Sequence, residues 1–290
     1  LMPLDNMSRL TKIYCDNALI DKAMADKFMR SNPNVLVIYE TLALEAWWNE
    51  LPSFWKDLLI TQAMTSKRPT KEELHSIINI KNLKVGHFIQ DAEPVSRLTN
   101  IEFLDLSDSK IDDLSPLYGL HNLKSLNVRN TEISDLTPLS NLKNLKELNI
   151  ENTNVKSLQA LHELSNISKI YADGSKLTQD EVVALKRKQR QLTVIYQTDD
   201  LRLWWGNLDM AWREIFNSHL TCNSNPTAEQ LQSIVDLEEI VVDPNNVVYS
   251  LESLQQMSFL RKLIINNNQI HDLTPLSDKD LLEVLSVSGN

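Results

Sequence analysis

A repeat of fixed length is the feature that most constrains how this chain can fold. Three consecutive segments between Leu98 and Leu164 begin 22 residues apart, and each has apolar residues at its first, fourth, seventh and ninth positions. The seventh and ninth side chains point to one face of a strand, and the residue between them points to the other. A unit this short cannot bury its own apolar side, so the units must stack. The sequence therefore predicts an α/β solenoid with one short parallel strand per unit.

Two further positions of each unit suggest how the chain turns after the strand. Ser109, Thr131 and Thr153 stand three residues after the last apolar residue of each strand. A short hydroxyl side chain at such a corner can bond to nearby backbone groups. Pro116 then suits a turn or the first residue of a tight helix, because its ring fixes φ. Each unit is thus expected to return to the core through a compact turn.

The period and the apolar positions are those of leucine-rich repeats. Asp-Leu-x-Pro-Leu, with Ser or Thr at x, recurs at 113–117, 135–139 and 272–276. In these segments the chain resembles bacterial leucine-rich repeat proteins of the internalin type. The resemblance covers about residues 98–177 and 237–290, and more loosely 77–97. It implies a binding module, of a kind that occurs both on bacterial surfaces and inside cells.

A longer repeat contains the short one. Residues 1–85 align without a gap with residues 158–242, and 24 of the 85 positions are identical. After a two-residue insertion the alignment continues and pairs Leu104 with Leu263. We therefore predict three segments. They are the tail of a preceding unit with its helix (1–34), a full unit with Trp-rich helices followed by leucine-rich repeats (35–191), and a second, truncated copy (192–290). Both ends of the chain fall inside a repeat, which suggests that the chain is a segment of a longer array.

Each copy contains a tryptophan-rich segment that predicts inserted helices. Helical spacing predicts one helix from about 201 to 220, and its counterpart from 47 to 62. Capping-box patterns predict further helix starts at Thr70, Thr178 and Thr227. An apolar stripe of this kind is typical of a helix packed on a core, whereas an aromatic binding surface is the alternative. The residues on the stripe of the second copy are Trp204, Trp205, Leu208, Trp212, Ile215 and Phe216.

Strand alternation identifies a candidate binding surface. Residues that point away from the core on stacked strands form columns on the concave face, where many solenoids bind partners. Three of these residues are identical in the other copy, where Lys12, Tyr14 and Asp16 align with Lys169, Tyr171 and Asp173. The identity fits either a binding role or simple duplication. The candidates are Phe103, Asp105, Asn127, Arg129, Glu147, Asn149, Glu151, Lys169, Tyr171 and Asp173, with Ser107 and Ser125 beside them.

Composition and motif content argue against several chemistries. The chain has 29 basic and 39 acidic residues, a net charge of −10, which disfavours nucleic acid and anionic membranes as partners. It has no metal-ligand spacing of histidines and no Gly-rich phosphate loop, so we expect no metal, cofactor or catalytic residue. Cys15 and Cys222 stand at unmatched positions of the two copies and are expected to be buried free thiols. The basic run 186–190 is expected at a helix C-terminus rather than in an anion site.

The sequence favours a non-enzymatic scaffold that binds a protein partner, of unknown identity, on the concave strand face. Two alternatives remain open. One is a cell-surface adhesin or glycan-binding module, which would use exposed tyrosines and tryptophans. The other is a regulatory or targeting arm of an enzyme located outside this segment. Neither a membrane-spanning run nor a signal peptide is visible, which favours the cytoplasm, while a processed start is compatible with the cell surface.

Overall fold

The computed structural model describes residues 1–5, 7–87, 89–220, 225–243 and 246–290. These residues form two compact units. Unit 1 comprises Leu1–Lys146 with Glu163–Asn166, and unit 2 comprises Glu147–His162 with Ile167–Asn290. The strands in both units are three residues long and pair in parallel.

Unit 1 contains two parallel sheets, which are separated along the chain by three consecutive helices. Strands β1 and β2 pair with each other, and β3, β4 and β5 pair in chain order. The strands are β1 (Lys12–Tyr14), β2 (Leu36–Ile38), β3 (Asn82–Lys84), β4 (Phe103–Asp105) and β5 (Ser125–Asn127). The helices are α1 (Lys22–Ser31), α2 (Thr41–Glu50), α3 (Ser53–Ala63) and α4 (Lys71–Ile78). The 3₁₀ turns are Met2–Leu4, Glu93–Arg97, Ser115–Leu117 and Thr137–Leu139.

Unit 2 repeats this plan. Strands β6, β7 and β8 pair in chain order, three helices follow, and β9, β10 and β11 form a separate sheet. The strands are β6 (Glu147–Asn149), β7 (Lys169–Tyr171), β8 (Thr193–Ile195), β9 (Glu239–Val241), β10 (Lys262–Ile264) and β11 (Val284–Ser286). The helices are α5 (Gln179–Lys188), α6 (Thr198–Asn207), α7 (Met210–His219) and α8 (Ala228–Val235). The 3₁₀ turns are Gln159–Leu161, Glu252–Leu254 and Thr274–Leu276.

The predicted α/β leucine-rich repeat fold with inserted helices is confirmed. The helices also interrupt the ladder of strands inside each unit, since β2 and β3 belong to different sheets, as do β8 and β9. A binding face formed by stacked strands is therefore divided within each unit.

The repeats fold as their pattern predicts. Leu98, Ile101, Leu104 and Leu106 of the first 22-residue segment are all buried. The corner hydroxyls donate to the carbonyl oxygen three residues earlier, at 2.6 Å for Ser109 and Thr131 and 2.7 Å for Thr153. These bonds satisfy carbonyl groups that the end of the strand would otherwise leave unpaired.

The residue before each corner hydroxyl adopts the left-handed backbone conformation. Asp108, Asn130 and Asn152 have φ of 58°, 54° and 53°, and Gly174 has 68° at the corresponding position of the next repeat. Asn, Asp and Gly are the residues that tolerate this region, because it brings Cβ close to the backbone in other side chains. Our interpretation of the repeat rested on its apolar positions and missed this constraint.

The tryptophan segments form two helices each, so the prediction of one continuous helix is wrong. In unit 2 the chain leaves the helical conformation at Leu208, and the Asp209 carboxylate accepts a hydrogen bond from the Trp212 N–H at 2.8 Å. In unit 1, Pro52 occupies the break between α2 and α3. Asp209 caps a new helix start, and Pro52 has no N–H to continue the preceding helix, which explains both breaks.

Two of the three predicted capping boxes are present, at Thr70 with Glu73 and at Thr227 with Gln230. The third is half formed. The Thr178 hydroxyl accepts from the Glu181 N–H, but the Glu181 carboxylate accepts from the Leu158 N–H at 3.0 Å instead of returning to Thr178. That carboxylate thus joins α5 to the preceding repeat.

The interpretation of the tryptophans as core residues is confirmed for four of the six. Trp48, Trp55, Trp205 and Trp212 are buried, whereas Trp47 and Trp204 are half-buried. In unit 2 the Trp212 and Phe216 rings stack at 5.4 Å, and both belong to one apolar core with the repeats that follow α8.

Element positions follow the longer repeat. Helices α1 and α4 begin at Lys22 and Lys71, and α5 and α8 begin 157 residues later at Gln179 and Ala228. The residue that precedes α2, Glu40, and its counterpart Gln197 both have positive φ, 50° and 53°. The division of the chain at residues 34 and 191 stays a prediction.

Candidate functional site

The outward residues of β3, β4 and β5 form the strand face of unit 1. Phe103 lies beside Asn82 and Ser125, and Asp105 lies beside Lys84 and Asn127, as the parallel register requires. The face thus consists of Asn82, Lys84, Phe103, Asp105, Ser125 and Asn127. Phe103 is 49% exposed, an unusual exposure for a phenylalanine on a regular strand.

Two predicted contact residues on this face bond to their own backbone. Asp105 Oδ1 accepts a hydrogen bond from the Ser107 N–H at 3.0 Å, and Asn127 Oδ1 accepts from the Arg129 N–H at the same distance. The Asp105 carboxylate also pairs with Lys84 Nζ at 3.3 Å. These side chains form Asx turns that end the strands, so they shape the face and have less capacity for a partner.

The expectation that Ser107 projects from the face is wrong. Ser107 is 8% exposed, because the turn made by Asp105 directs the chain inward at that residue. Arg129, which follows the corresponding turn one repeat later, is exposed. Phe103 and Arg129 are therefore the predicted residues of unit 1 that offer the most surface.

The outward residues of β6, β7 and β8 form the strand face of unit 2. Glu147 is exposed and lies beside Lys169 in the register. Asn149 repeats the Asx turn: its Oδ1 accepts from the Glu151 N–H at 2.9 Å, and its Nδ2 donates to the Glu151 carboxylate at 3.1 Å. Asn149 and Glu151 thus stabilise each other.

Lys169 and Tyr171 form a small polar cluster with helix α8. Lys169 Nζ lies 5.5 Å from the centre of the Tyr171 ring, and the Tyr171 hydroxyl donates to Glu229 of α8 at 3.5 Å. The hydrogen bond to Tyr171 raises the pKa of Lys169, and the nearby carboxylates of Glu229 and Glu147 act in the same direction.

Unit 1 has a similar cluster with shorter contacts, but its lysine belongs to α4 and not to the strand. The Tyr14 hydroxyl donates to Glu72 at 2.7 Å, and Lys71 Nζ lies 4.6 Å from the centre of the Tyr14 ring. This hydrogen bond raises the pKa of Tyr14 and lowers that of Glu72. We missed both glutamates as site residues, although Glu72 and Glu229 are identical in the alignment of the two copies.

The recurrence of Asp16 and Asp173 has a structural reason. The Asp173 carboxylate accepts from the Thr198 N–H at 2.8 Å and from the Thr198 hydroxyl at 2.6 Å. Asp16 accepts the same two bonds from Thr41, at 2.9 and 2.8 Å. Both threonines begin a helix, so these carboxylates fix the point at which α2 and α6 leave the sheet.

The basic run ends helix α5, as predicted, with Lys186, Arg187 and Lys188 in its last turn. Lys186 is buried, however. Its ammonium pairs with the Asp236 carboxylate and lies 4.6 Å from the centre of the Phe259 ring. This lysine therefore serves the interior of unit 2.

Metal-binding and membrane-spanning features are both absent from the described ranges. These ranges contain no group of three or more His, Cys, Asp and Glu side chains placed to hold a metal ion. They also contain no helix that is long and apolar enough to cross a membrane. Cys15 is a free thiol, as predicted, but it is half-buried and not buried. Partial burial raises the pKa of this thiol, which donates to the Ile38 carbonyl at 3.3 Å. Cys222 lies outside the described residues.

Comparisons with known proteins agree with the repeats. Residues 121–163 match the family model of Leucine Rich repeats (2 copies). Among solved structures, an internalin (inlF) from Listeria monocytogenes is 20% identical, over 84% of this chain and 77% of that one, with a TM-score of 0.43. An internalin C2 (inlC2) from the same organism is 17% identical, over 83% and 95%, with a TM-score of 0.42. A comparison with curated proteins gave no match.

Proposed function

We propose that this leucine-rich repeat chain is a protein-interaction scaffold whose partner contacts exposed residues of the strand faces. Repeat proteins of this architecture commonly bind through such surfaces. The observation that carries the proposal is Phe103, an aromatic side chain 49% exposed in the middle of a parallel ladder. Nothing in the fold requires an exposed ring there.

The geometry divides the predicted site residues into two roles. Four of them accept hydrogen bonds from backbone N–H groups, and we propose that they hold the backbone in place. They are Asp105, Asn127, Asn149 and Asp173. The residues assigned to partner contact are Phe103, Arg129, Glu147, Glu151, Lys169 and Tyr171. Aromatic residues and arginine dominate the energetics of protein interfaces, so Phe103 and Arg129 should contribute most.

The test begins with proteins captured by the chain and identified by crosslinking and mass spectrometry. The affinity of each is then measured with purified Phe103→Ala and Arg129→Ala variants. We expect each variant to weaken binding roughly tenfold or more, the size of an interface hot spot. Tyr118→Ala is the matched control, because Tyr118 is also an exposed aromatic residue (55%) of unit 1 but follows a 3₁₀ turn.

Equal effects of Phe103→Ala and Tyr118→Ala would contradict a contact on the strand face. Binding to a glycan array that Phe103→Ala abolishes would favour the adhesin alternative instead. An enzyme captured in complex with the chain, and regulated by it, would favour the alternative of a regulatory or targeting arm.

A further inference from the structure

Unit 1 contains a groove beside helices α2 and α3, which we call the tryptophan groove. Its volume is about 870 Å³. Its apolar lining includes Ala46, Trp47, Pro52, Phe54, Trp55 and Pro94. It does not overlap the strand faces that the proposed function uses.

The second copy of the same helices has two hydrogen bonds at the corresponding place. In unit 2 the Trp212 indole N–H donates to the Ser250 carbonyl at 2.9 Å, and the Trp204 indole N–H donates to the Ser253 carbonyl at 3.1 Å. These two bonds hold the segment before β10 against α6 and α7.

In unit 1 the corresponding bonds are not made. The counterparts of the two tryptophans are Trp55 and Trp47, and the counterparts of the two serines are Asp91 and Pro94. All four line the groove, yet within the described ranges neither indole N–H has an acceptor. An indole nitrogen can only donate, so an acceptor for these two N–H groups must come from solvent or from a bound partner.

This donor pattern restricts what can fill the groove. An occupant must supply acceptors, and any N–H that it brings into the apolar part of the groove would lose its bond to water. A proline-containing backbone offers carbonyl groups and lacks the N–H. Aromatic-lined grooves are a known way of binding such peptides.

The charged side chains of the lining further restrict which peptide can bind. The groove includes three carboxylates, of Glu50, Asp91 and Glu93, and one basic group, of Arg97. A peptide that also has a positive charge beside its prolines would complement this lining.

We propose that the tryptophan groove of unit 1 binds a proline-rich peptide segment with an adjacent basic residue, and that the indole N–H groups of Trp47 and Trp55 donate to its backbone carbonyls. In the second copy the indole N–H groups of Trp204 and Trp212 already donate to Ser253 and Ser250 of the chain itself.

The experiment uses the whole chain and a labelled synthetic peptide of prolines with an arginine at each end. Fluorescence anisotropy measures affinity, and NMR spectra of the indole N–H groups identify which tryptophans respond. We expect the signals of Trp47 and Trp55 to move on titration and those of Trp204 and Trp212 to stay. Trp47→Phe, which keeps a ring but removes the donor, should weaken binding by about fivefold.

Trp204→Phe is the matched control, since its indole N–H already has an acceptor inside unit 2. A second variant, Ala46→Trp, fills the groove from an exposed helical position and should abolish binding while the circular dichroism spectrum is retained. The proposal is overturned if the peptide does not bind, if Trp47→Phe and Trp204→Phe have equal effects, or if replacing the prolines by alanine leaves affinity unchanged.

Discussion

Helix α4 of unit 1 and helix α8 of unit 2 occupy corresponding positions, yet their buried polar groups differ. In unit 1, His75 is fully buried. Its Nδ1 lies 2.7 Å from the Lys71 carbonyl oxygen, and its Nε2 lies 3.0 Å from the Tyr39 backbone nitrogen and 2.8 Å from the Tyr39 carbonyl oxygen. Neither partner of the ring is an acidic or basic side chain.

In unit 2, Gln232 occupies the position of His75, and an ion pair between Lys186 and Asp236 lies next to it. Asp236 accepts from Gln232 Nε2 at 3.0 Å and pairs with Lys186, where unit 1 has Asn79 and Met29. Burial raises the pKa of Asp236, although the attraction of Lys186 opposes that rise. The backbone of a duplicated element therefore tolerates either set of buried polar groups, even though the buried Gln232 Oε1 has no hydrogen-bond partner.

The largest effect is expected from breaking the ion pair of unit 2. Asp236→Ala leaves the buried Lys186 ammonium without its counter-charge, so the free energy of unfolding should fall by about 3–5 kcal/mol. Urea unfolding followed by circular dichroism measures the change. The double variant Lys186→Met with Asp236→Asn restores the residues of unit 1 and should recover most of the loss. If it is as unstable as Asp236→Ala, charge pairing is not what distinguishes the two units.

A smaller loss is expected when the buried His75 of unit 1 is replaced. His75→Leu leaves the Tyr39 N–H and the Lys71 carbonyl without the ring nitrogens, and should cost about 1–3 kcal/mol in the same unfolding measurement. His75→Gln places the residue of unit 2 there and should cost less, because an amide can donate and accept. Equal losses for leucine and glutamine would show that ring packing, rather than hydrogen bonding, dominates at this position.

The smallest effect concerns a turn that both units share. Hydrogen bonds from a hydroxyl and a backbone N–H lower the pKa of Asp135, through Thr137 of unit 1, and of Asp272, through Thr274 of unit 2. Both should titrate below the usual aspartate range in NMR. Because the folded pKa is depressed, the stabilisation is present above the unfolded pKa and is lost as the pH falls through the folded pKa. Normal titration of either residue would show that the turn is not equivalent in the two units.

Strand positions could be predicted because they depend on neighbours in the sequence. The apolar pair Leu104 and Leu106 was enough to identify β4, since alternation follows from the geometry of an extended chain. The break between α6 and α7 was missed, although Asp209 is a good helix N-cap, because the apolar stripe continues across it. Periodicity alone could not separate one helix from two that share a core.

The candidate site could be predicted only in outline. Alternation placed the ten candidates on strands or at their ends, but it could not tell which side chains were already bonded. The side-chain oxygens of Asp105 and Asn149 accept from the backbone N–H two residues later in the chain. The sequence preference of Asx turns could have predicted these bonds. The contact of Tyr171 with Glu229 joins residues 58 positions apart, and no local rule predicts it.

The sequence by itself determined the repeat, the alternation of the strands and the corner hydroxyls of this protein, because each depends on covalent geometry within a few residues. The tertiary structure alone decided that helices divide the strand ladder in each unit, that Lys186 turns inward to Asp236, and that Trp47 and Trp55 face an open groove. These outcomes depend on which distant groups reach hydrogen-bonding distance. That depends on how the helices pack, and two copies with the same pattern pack differently.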